Sequence, residues 1–223
     1  MNVLIVYAHE SSKSFNAAMK DVAVETLTMA GHSVVVSDLY AQGFNPVASR
    51  HDFTKLSGAE FYKFQKEQRH AAKGGYFAAD IKDEMEKLNA ADLVVFQFPL
   101  WWFGMPAILK GWFDRVFAMG FAYGNGQMFD RGPLKGKLGM CALTTGGPEK
   151  SYPDFSNTVL RPIQFGLLYF AGMTVLPPFA AFAAAHLDDD GRKDLLAKYS
   201  EHLKDIESLE PLRFPTMAEM GMT

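Results

Sequence analysis

Large aromatic side chains follow an apolar stretch near the middle of the chain. Residues 93–98 are apolar except for Gln97, and Pro99 ends this predicted strand because proline has no N–H to donate. The turn that comes next consists of Leu100, Trp101, Trp102, Phe103 and Gly104. These rings could be a hydrophobic plug under a loop, or they could form one wall of a site for a planar ligand.

Small and hydroxyl-bearing residues follow a second predicted strand, residues 137–143. They are Thr144, Thr145, Gly146 and Gly147. Glycine lets a ring edge approach the backbone closely, and threonine hydroxyls can bond to the heteroatoms of that edge. An isoalloxazine ring needs an apolar wall together with such donors along its polar edge. Tyr152 could add a phenol there, or it could be an ordinary surface tyrosine.

A polar loop, residues 8–13, follows the first predicted strand. Ser14 has the hydroxyl typical of a helix N-cap, and amides at the start of that helix attract phosphate groups. The serines and the lysine of this loop could add contacts, although serine-rich loops before helices are often only caps. His9 could bond to a phosphate or to a nearby carbonyl. The GxGxxG fingerprint of Rossmann dinucleotide sites is absent from the sequence.

The order of the predicted strands and helices would bring these three loops to one edge of a sheet. Strands and helices alternate along the chain, which is typical of a doubly wound parallel sheet. The pattern fits a flavodoxin-like α/β fold of three layers, with a parallel sheet of about five strands in the order 2-1-3-4-5. In such a sheet, the loops after strands one, three and four meet at the switch point, where ligands bind.

The predicted elements have the following bounds. Strands are expected at residues 2–7, 32–38, 93–98, 137–143 and 174–176, with 179–183 as a further candidate. Helices are expected at residues 15–31, 59–69, 79–89, just after Pro106, at 159–170 with Pro162 in the first turn, and at 190–208. We expect residues 1–207 to form one domain and residues 208–223 to form a C-terminal tail.

Composition and charge exclude several classes of protein. The chain has 223 residues, 48% of them hydrophobic, which suits one large α/β domain. Its net charge of -3 is too small to indicate a nucleic-acid partner or an anionic membrane surface. No apolar run approaches the length of a membrane span, and no basic-then-apolar leader is present. We therefore expect a cytoplasmic protein without stable membrane insertion.

Other catalytic patterns are missing from the sequence. The only cysteine, Cys141, lies inside a predicted strand without a nearby histidine, so we expect a buried core thiol. GxSxG, HExxH, CxxC and metal-spaced histidine clusters are all absent, and no metal site is expected. The acidic residues 188–190 are most simply explained as a helix start that the helix dipole favours.

Four segments resemble the NAD(P)H quinone reductases of the DT-diaphorase type, a family of flavodoxin-like flavoproteins. They are YAHESSKSFN, SDLYAQGFNPVASRHD, LNAADLVVFQFPLWWFGMPAILKGWFDRVF and LTTGGPEKSY. The similarity extends from Val3 to Lys204, and the stretch FQFPLxWFGxPAILKGWFxRVF is its most specific part. The resemblance therefore covers most of the chain.

The resemblance implies an FAD-binding catalytic domain, with FAD rather than FMN, in a homodimer. It implies a ping-pong cycle in which NAD(P)H transfers hydride to flavin N5 and a quinone is then reduced by two electrons. The matching cofactor-binding residues are His9, Ser14, Phe15, Asn16, Pro99, Leu100, Trp101, Trp102, Phe103, Thr144, Thr145, Gly146, Gly147, Tyr152 and Arg192. The matching substrate-pocket residues are Trp102, Phe103, Tyr123, Asn125, Met128 and Phe129, with Tyr123 reaching the pocket from the partner subunit.

The resemblance also gives Tyr152 a catalytic role, because it matches a tyrosine that supports charge on the reduced flavin. This chain differs from the family pattern in that no histidine follows Tyr152. Trp101 stands where glutamine is common, Asn125 where a second pocket tyrosine is common, and Ala197 where glutamate is common. The family's long C-terminal extension is reduced here to residues 208–223.

Three alternative functions remain open on the sequence. Azo or nitro compounds could be the acceptors of the same enzyme. Some relatives are regulatory subunits of potassium-efflux systems, and the chain could be one of them. A one-electron carrier of the flavodoxin kind is disfavoured, since such carriers are usually smaller and more acidic than a chain of 223 residues with a net charge of -3.

Overall fold

A parallel sheet with helices on both faces forms the framework of the computed structural model, which describes residues 1–222. The strands are β1 (Asn2–Tyr7), β2 (Ser33–Asp38), β3 (Leu93–Pro99), β4 (Leu138–Thr144), β5 (Thr174–Val175) and β6 (Phe179–Ala181). Five of them follow the order β2-β1-β3-β4-β5, and β6 also pairs with β4. The predicted flavodoxin-like order is confirmed.

Apart from short 3-10 turns, residues 1–222 contain six helical segments, of which five lie between strands and the last follows β6. They are α1 (Phe15–Met29), α2 (Phe64–Gly74), α3 (Ala79–Ala90), α4 (Ala107–Val116), α5 and α6 (Asp189–Lys204). The segment named α5 is irregular, because π-helical turns at Ser156–Leu160 and Gln164–Tyr169 flank the α-helical residues Arg161–Ile163. Asp188 caps α6 by accepting from the amide of Gly191, which agrees with the predicted acidic helix start.

Strand β3 lies between two apolar layers, one on each face of the sheet, and each of its residues is buried. Val94 and Phe96 face the layer that contains Trp112, whereas Leu93 and Val95 face the opposite layer. A strand covered on both faces needs apolar residues at every position, which explains the unbroken run in the sequence. Cys141 of β4 is also fully buried, as predicted.

The helix predicted at residues 59–69 is misplaced, since α2 begins at Phe64 and ends at Gly74. Glu67 accepts hydrogen bonds from the amide and the hydroxyl of Ser57, at 2.7 and 2.6 Å, which holds the preceding residues outside the helix. Gly75 ends the helix in the left-handed conformation, with a φ of 71°.

The helix predicted at residues 159–170 begins earlier, at Ser156, and Pro162 lies inside it. Proline cannot donate to a preceding carbonyl, and its ring crowds the carbonyl four residues before it. The wide π-turns on both sides accommodate this proline. The predicted strand at residues 174–176 and the further candidate at 179–183 are both present, as the shorter strands β5 and β6, and both pair with β4. Helix α6 ends at Lys204 rather than at residue 208.

An ion-pair cluster around the buried Arg115 holds the long excursion between β2 and α3. The guanidinium of Arg115 contacts Asp52 at 3.1 Å and Asp80 at 2.6 Å, and it donates to the carbonyl of Asn45 at 2.8 Å. Burial raises the pKa of Asp52 above its ordinary value, although Arg115 opposes this effect. One arginine on α4 therefore fixes two separate points of the excursion.

Residues 208–222 pack against the domain, and Leu212 donates its amide to the carbonyl of Val175 in β5. The division into a catalytic domain, residues 1–207, and a tail stays a prediction. Thr223, the last residue of the predicted tail, lies outside the described residues.

Candidate active site

The carboxyl ends of β1, β3 and β4 lie side by side and bring the three predicted loops together. Pro99 is in register with Thr144, and the amide of Leu100 donates to the carbonyl of Thr144 at 2.8 Å. The amide of Ala8 donates to the carbonyl of Gln97 at 3.0 Å. Each loop therefore leaves the sheet at the same edge, as the switch-point prediction requires.

A cleft of about 470 Å³ opens between these loops. It is lined by His9, Ser14, Phe15, Asn16, Pro99, Leu100, Trp101, Thr144, Thr145, Gly146, Ala184, Ala185 and Arg192. All of these except Ala184 and Ala185 are predicted cofactor-binding residues. The two alanines follow the short strand β6, and the sequence had no polar or aromatic signal to single them out.

The start of α1 forms one side of the cleft. Ser14 is the predicted N-cap, and its hydroxyl accepts from the amide of Ala17 at 3.0 Å. The first amides of a helix have no partner within the helix, so those after Ser14 can bind an anion. Nδ1 of His9 accepts from the amide of Ser11 at 3.0 Å, which in a neutral ring leaves Nε2 as the N–H donor.

A buried chain of polar groups holds Asn16 at the floor of the cleft. Asn16 donates from Nδ2 to the hydroxyl of Thr144 at 2.7 Å, and its carbonyl accepts from Gln97 Nε2 at 2.5 Å. Tyr199 of α6 in turn donates to Gln97 Oε1 at 3.4 Å. Gln97 is the one polar residue of its strand, and only the fold reveals that it positions the start of α1.

The remaining oxygen of Asn16, Oδ1, is buried without a hydrogen-bond partner among residues 1–222. An unpaired buried acceptor costs free energy, about 1–3 kcal/mol, unless a ligand or a water molecule donates to it. Because Asn16 lines the cleft, a ligand with hydroxyl groups would satisfy this atom.

The aromatic turn is a tight two-residue hairpin. Trp101 and Gly104 exchange two backbone hydrogen bonds, at 2.9 and 3.0 Å. Trp102 and Phe103 between them have φ values of 49° and 57°, the type I′ geometry that usually requires asparagine or glycine. Left-handed backbone costs a bulky residue about 1–2 kcal/mol.

The strain in this hairpin is not offset by burial within the chain, because Trp102 is 100% exposed and Phe103 is 53% exposed. The interpretation of these rings as a hydrophobic plug is therefore wrong. Strained and exposed aromatic residues beside a cleft are typical of a binding surface.

Tyr152 lies in a cluster of four aromatic rings. Its ring meets that of Phe103 at 5.7 Å and that of Phe155 at 5.8 Å, both edge-on, and it lies 6.2 Å from Phe182. Its hydroxyl oxygen accepts from the amide of Gly147 at 3.1 Å. Since the oxygen already accepts, the hydroxyl hydrogen is available to donate to a ligand. Tyr152 is half-buried, so it is more than an ordinary surface tyrosine.

The other polar residues of the site have different local roles. Thr145 is buried, donating its hydroxyl to the carbonyl of Gly147 at 2.7 Å and accepting from the amide of Ala183 at 3.3 Å. Its hydroxyl thus shapes the loop. Arg192 lies at the α6 end of the cleft, where it donates to the carbonyl of Leu187 and pairs with Asp189.

The predicted substrate-pocket residues outside the aromatic turn lie elsewhere in the chain. Tyr123 accepts from Gln65 Nε2 at 3.0 Å and packs on Phe170 at 5.7 Å. It lines a separate cavity of about 390 Å³, and within residues 1–222 this cavity shares no lining residue with the cleft. Asn125 is exposed and Met128 is half-buried in the loop that follows.

Phe129 is largely buried, at 8% exposure, against the rings of α5 and the adjoining Phe170. A single chain therefore does not place these residues against Trp102. Phe170, which contacts both Tyr123 and Phe129, was missed because the sequence pattern marked it only as part of a helix.

Residues 1–222 contain neither a metal-binding cluster nor a membrane-spanning helix. No group of acidic, histidine and cysteine side chains there could hold a metal ion. No helix in this part of the chain is long and apolar enough to cross a membrane. Burial raises the pKa of Cys141 to about 12, so its thiol is not a nucleophile.

A family model described as a flavodoxin-like fold matches residues 1–203. The chain belongs to the flavodoxin-like family. Within it, the chain is 45% identical over 217 residues to NAD(P)H dehydrogenase (quinone) 1 of Rattus norvegicus, covering 95% of this chain and 79% of that protein. It is 44% identical over 216 residues to ribosyldihydronicotinamide dehydrogenase (quinone) of Homo sapiens, covering 94% of each.

Comparison with solved structures also gives a similar protein among the quinone reductases of the flavodoxin-like family. The crystal structure of a candidate quinone reductase from Klebsiella pneumoniae superposes with a TM-score of 0.94 at 39% identity, covering 97% of this chain and 89% of that one. These matches confirm the resemblance to the NAD(P)H quinone reductases. This membership implies a flavin cofactor and NAD(P)H.

The residues present fit a flavin. The cleft supplies a helix start for phosphate and a buried acceptor on Asn16 for hydroxyl groups. The aromatic turn borders the cleft through Leu100 and Trp101, while Trp102 and Phe103 lie outside the lining and offer exposed rings for a flat ligand. Thr144, Thr145 and Gly146 line the cleft, whereas Gly147 and Tyr152 lie outside its lining, with Tyr152 next to the turn through its contact with Phe103.

Proposed function

We propose that the protein is an FAD-dependent NAD(P)H:quinone oxidoreductase that works as a homodimer in a ping-pong cycle. The observation that carries this proposal is the strained, exposed aromatic hairpin beside the cleft. Stability alone gives no reason to hold Trp102 and Phe103 in left-handed backbone on the surface, whereas stacking against a planar ring does. The similarity to quinone dehydrogenases supports the proposal.

When bound, the flavin supplies the hydride chemistry, and the protein supplies binding, orientation and electrostatics. The first amides of α1 and the Nε2–H of His9 would hold the diphosphate. Asn16 Oδ1 would accept from a sugar hydroxyl. Tyr152 would donate its hydroxyl hydrogen to the polar edge of the ring, where negative charge develops on reduction.

The extent of the cleft supports FAD over FMN. Beyond the start of α1 it continues to Ala184, Ala185 and Arg192. A monophosphate would end near Ser14, whereas an adenylate group could occupy the part of the cleft between the alanines and Arg192. The guanidinium already pairs with Asp189, so its planar face is the part available for stacking on adenine.

The proposed substrate-pocket residues lie on two separate surfaces of one chain, and this separation supports a homodimer. The loop with Tyr123 and Asn125 does not reach the aromatic hairpin of its own chain, so a second copy would have to bring it there. Large apolar side chains are exposed as well, with Phe61 at 72% and Val47 at 63% exposure. Large apolar side chains exposed to this extent are candidates for burial against a second copy.

One experiment tests the proposed function directly. The purified protein would be saturated with FAD or FMN, mixed anaerobically with NADH or NADPH, and then with a quinone. We expect tighter FAD binding, rapid two-electron bleaching by a pyridine nucleotide and reoxidation by the quinone. A flavin that binds but is not reduced would favour a carrier or a regulatory subunit, and no flavin affinity would overturn the site assignment. The predicted cytoplasmic location stays a prediction.

A further inference from the structure

The C-terminal residues 212–220 run across the outside of α5, and we name them the C-terminal strap. The strap begins beside β5, where the amide of Leu212 donates to the carbonyl of Val175 at 2.8 Å. The ring of Phe214 then packs against Phe165 at 5.7 Å and against Tyr169 at 5.2 Å. The Tyr169 hydroxyl donates to the carbonyl of Pro215 at 3.0 Å, so the strap is tied to α5 by both polar and apolar contacts.

The strap also reaches the loop of residues 121–131, which we name the acceptor loop because it carries four of the proposed substrate-pocket residues. The amide of Met217 donates to Asp130 Oδ1 at 2.7 Å. Met217 is only 3% exposed, so its buried side chain anchors the strap next to this hydrogen bond. A hydrogen bond to a carboxylate is stronger than one between neutral groups.

Two aromatic rings of α5 form a second connection between the strap and the acceptor loop, in addition to the hydrogen bond to Asp130. Phe165 and Tyr169, which contact Phe214 of the strap, also contact Phe129 of the acceptor loop, at 5.4 and 5.7 Å. Phe170, next along the chain, meets Phe129 at 5.2 Å and Tyr123 at 5.7 Å. The strap and the acceptor loop therefore lie against one shared set of aromatic rings.

The acceptor loop needs such support because its backbone is strained. Asn125 has a φ of 55° and Phe129 a φ of 52°, and the latter is unusual for a bulky residue. Strained conformations persist only where the surroundings over-determine them. The amide of Phe129 donates to the carbonyl of Phe170 at 2.8 Å, and the bond from Met217 to Asp130 holds the next residue.

Hydrogen bonds between Thr216 and Glu219 stabilise the strap locally. The amide and hydroxyl of Thr216 donate to Glu219 Oε2 at 2.8 and 3.0 Å, and the Glu219 amide donates to the Thr216 hydroxyl at 3.2 Å. This reciprocal arrangement is a capping box. It closes a hydrogen-bonded turn over residues 216–220, next to the amide of Met217 that donates to Asp130.

We propose that the C-terminal strap holds the acceptor loop in its strained shape, with Asp130 as the positioning residue that joins them. The strap thereby fixes the position of the acceptor loop, and a multi-ring acceptor would pack against that loop. This inference rests on the proposed function for its effect on substrate, but its structural part does not.

Hydrogen exchange of the flavin-free protein tests the structural part. In Asp130→Ala, we expect amides of the acceptor loop and the strap to exchange about tenfold faster, since one bond to a charged group is lost. Asp130→Asn keeps an acceptor oxygen and should recover most of the protection. Asp194→Ala, which removes an exposed carboxylate of α6, is the matched control and should change neither segment.

Two exchange results would overturn the proposal. In the first, the acceptor loop keeps its protection in Asp130→Ala while the strap loosens alone. In the second, the amides of β3 accelerate as much as those of the loop, which would mean that Asp130 only contributes to general stability. Phe214→Ala is a second variant, and it should loosen the acceptor loop through the shared rings if the proposal is right.

Steady-state kinetics test the part that depends on the proposed function. In Asp130→Ala, we expect kcat/KM for a two-ring naphthoquinone to fall about tenfold relative to that for a one-ring benzoquinone, because small misplacements are costly. An unchanged ratio would overturn the claim about acceptors. If the wild-type protein reduces neither quinone but the exchange result holds, the proposed function fails and the strap is still supported.

Discussion

Tyr152 is the residue most directly tied to the proposed chemistry, and replacing it with phenylalanine removes only its hydroxyl. We expect flavin reduction by NAD(P)H to slow about 100-fold, because a donor aimed at developing charge is lost. Stopped-flow absorbance would measure this rate. The ring contacts with Phe103 and Phe155 remain in Tyr152→Phe, so the affinity for flavin should change little. An unchanged reduction rate would remove Tyr152 from the mechanism.

Asn16 illustrates a residue that binds through one buried oxygen. Asn16→Ala loses the bond to Thr144 as well as the unpaired Oδ1. We expect the Kd for FAD to rise about 10- to 100-fold, equivalent to roughly 1–3 kcal/mol. Flavin fluorescence titration would measure it. Asn89→Ala, at an exposed position of α3, is the control, and an equal effect there would contradict the assignment.

The aromatic hairpin offers a prediction at the scale of an element. Replacing Trp102 and Phe103 together by Asn and Gly supplies the residues that a type I′ turn favours. We expect the flavin-free protein to be more stable toward urea, by about 1–2 kcal/mol for each relieved residue, with loss of NAD(P)H-dependent reduction. Met29→Asn is the control, because Met29 is an exposed apolar residue without positive φ and lies outside the proposed dimer surface. A less stable double variant would show that the hairpin is not strained.

The excursion between β2 and α3 depends on the buried ion pair between Arg115 and Asp52. In Arg115→Met, Asp52 loses its charged partner while it stays buried, so we expect a loss of about 3–5 kcal/mol at pH 7. The pKa of Asp52 is raised by burial, so its stabilising contribution is present at low pH and is lost as pH rises through the folded-state pKa.

The stability deficit of Arg115→Met should therefore shrink as pH falls from 7 toward 4, because protonation of Asp52 removes its uncompensated charge. Urea unfolding of both proteins across this range would measure it. Lys110→Met, which removes the exposed pair with Asp114 on the same helix, is the control and should cost no more than about 1 kcal/mol. A deficit that does not depend on pH would mean that the charge of Asp52 is not responsible.

At the scale of the whole molecule, the proposed dimer is the main prediction. Charged substitutions at Phe61 and Val47 should shift the protein toward the monomer in sedimentation velocity experiments. Met29→Asp is the matched control, because Met29 is also exposed, at 82%, but lies on α1 beside the opposite core layer. A wild-type protein that sediments as a monomer would overturn the proposal.

Much of this molecule could be predicted before its structure was known. Buried parallel strands have unbroken apolar runs, as residues 93–98 do, and helix starts have hydroxyl caps, as Ser14 does. These signals are local, because each depends on one strand or one turn. The order of strands followed from their alternation with helices, and so did the meeting of the three loops at one edge.

Other features depended on contacts between distant segments and had no local signal. The start of α2 depends on Ser57 bonding to Glu67, and the π-turns of α5 depend on how Pro162 is accommodated within the fold. Ala184 and Ala185 line the cleft only because β6 pairs with β4. Their small side chains carry no chemical signature in the sequence.

The sequence by itself determined the fold, the family and the residues of the cleft other than Ala184 and Ala185, because these depend on hydrophobic period, caps and specific motifs. Only the tertiary structure decided that the aromatic turn is strained and exposed, and that Asn16 keeps a buried acceptor. It also decided that the strap lies against the acceptor loop, through the bond from Met217 to Asp130. Backbone strain, orphaned polar atoms and long-range hydrogen bonds arise from packing between segments far apart in the chain, and no local pattern encodes them.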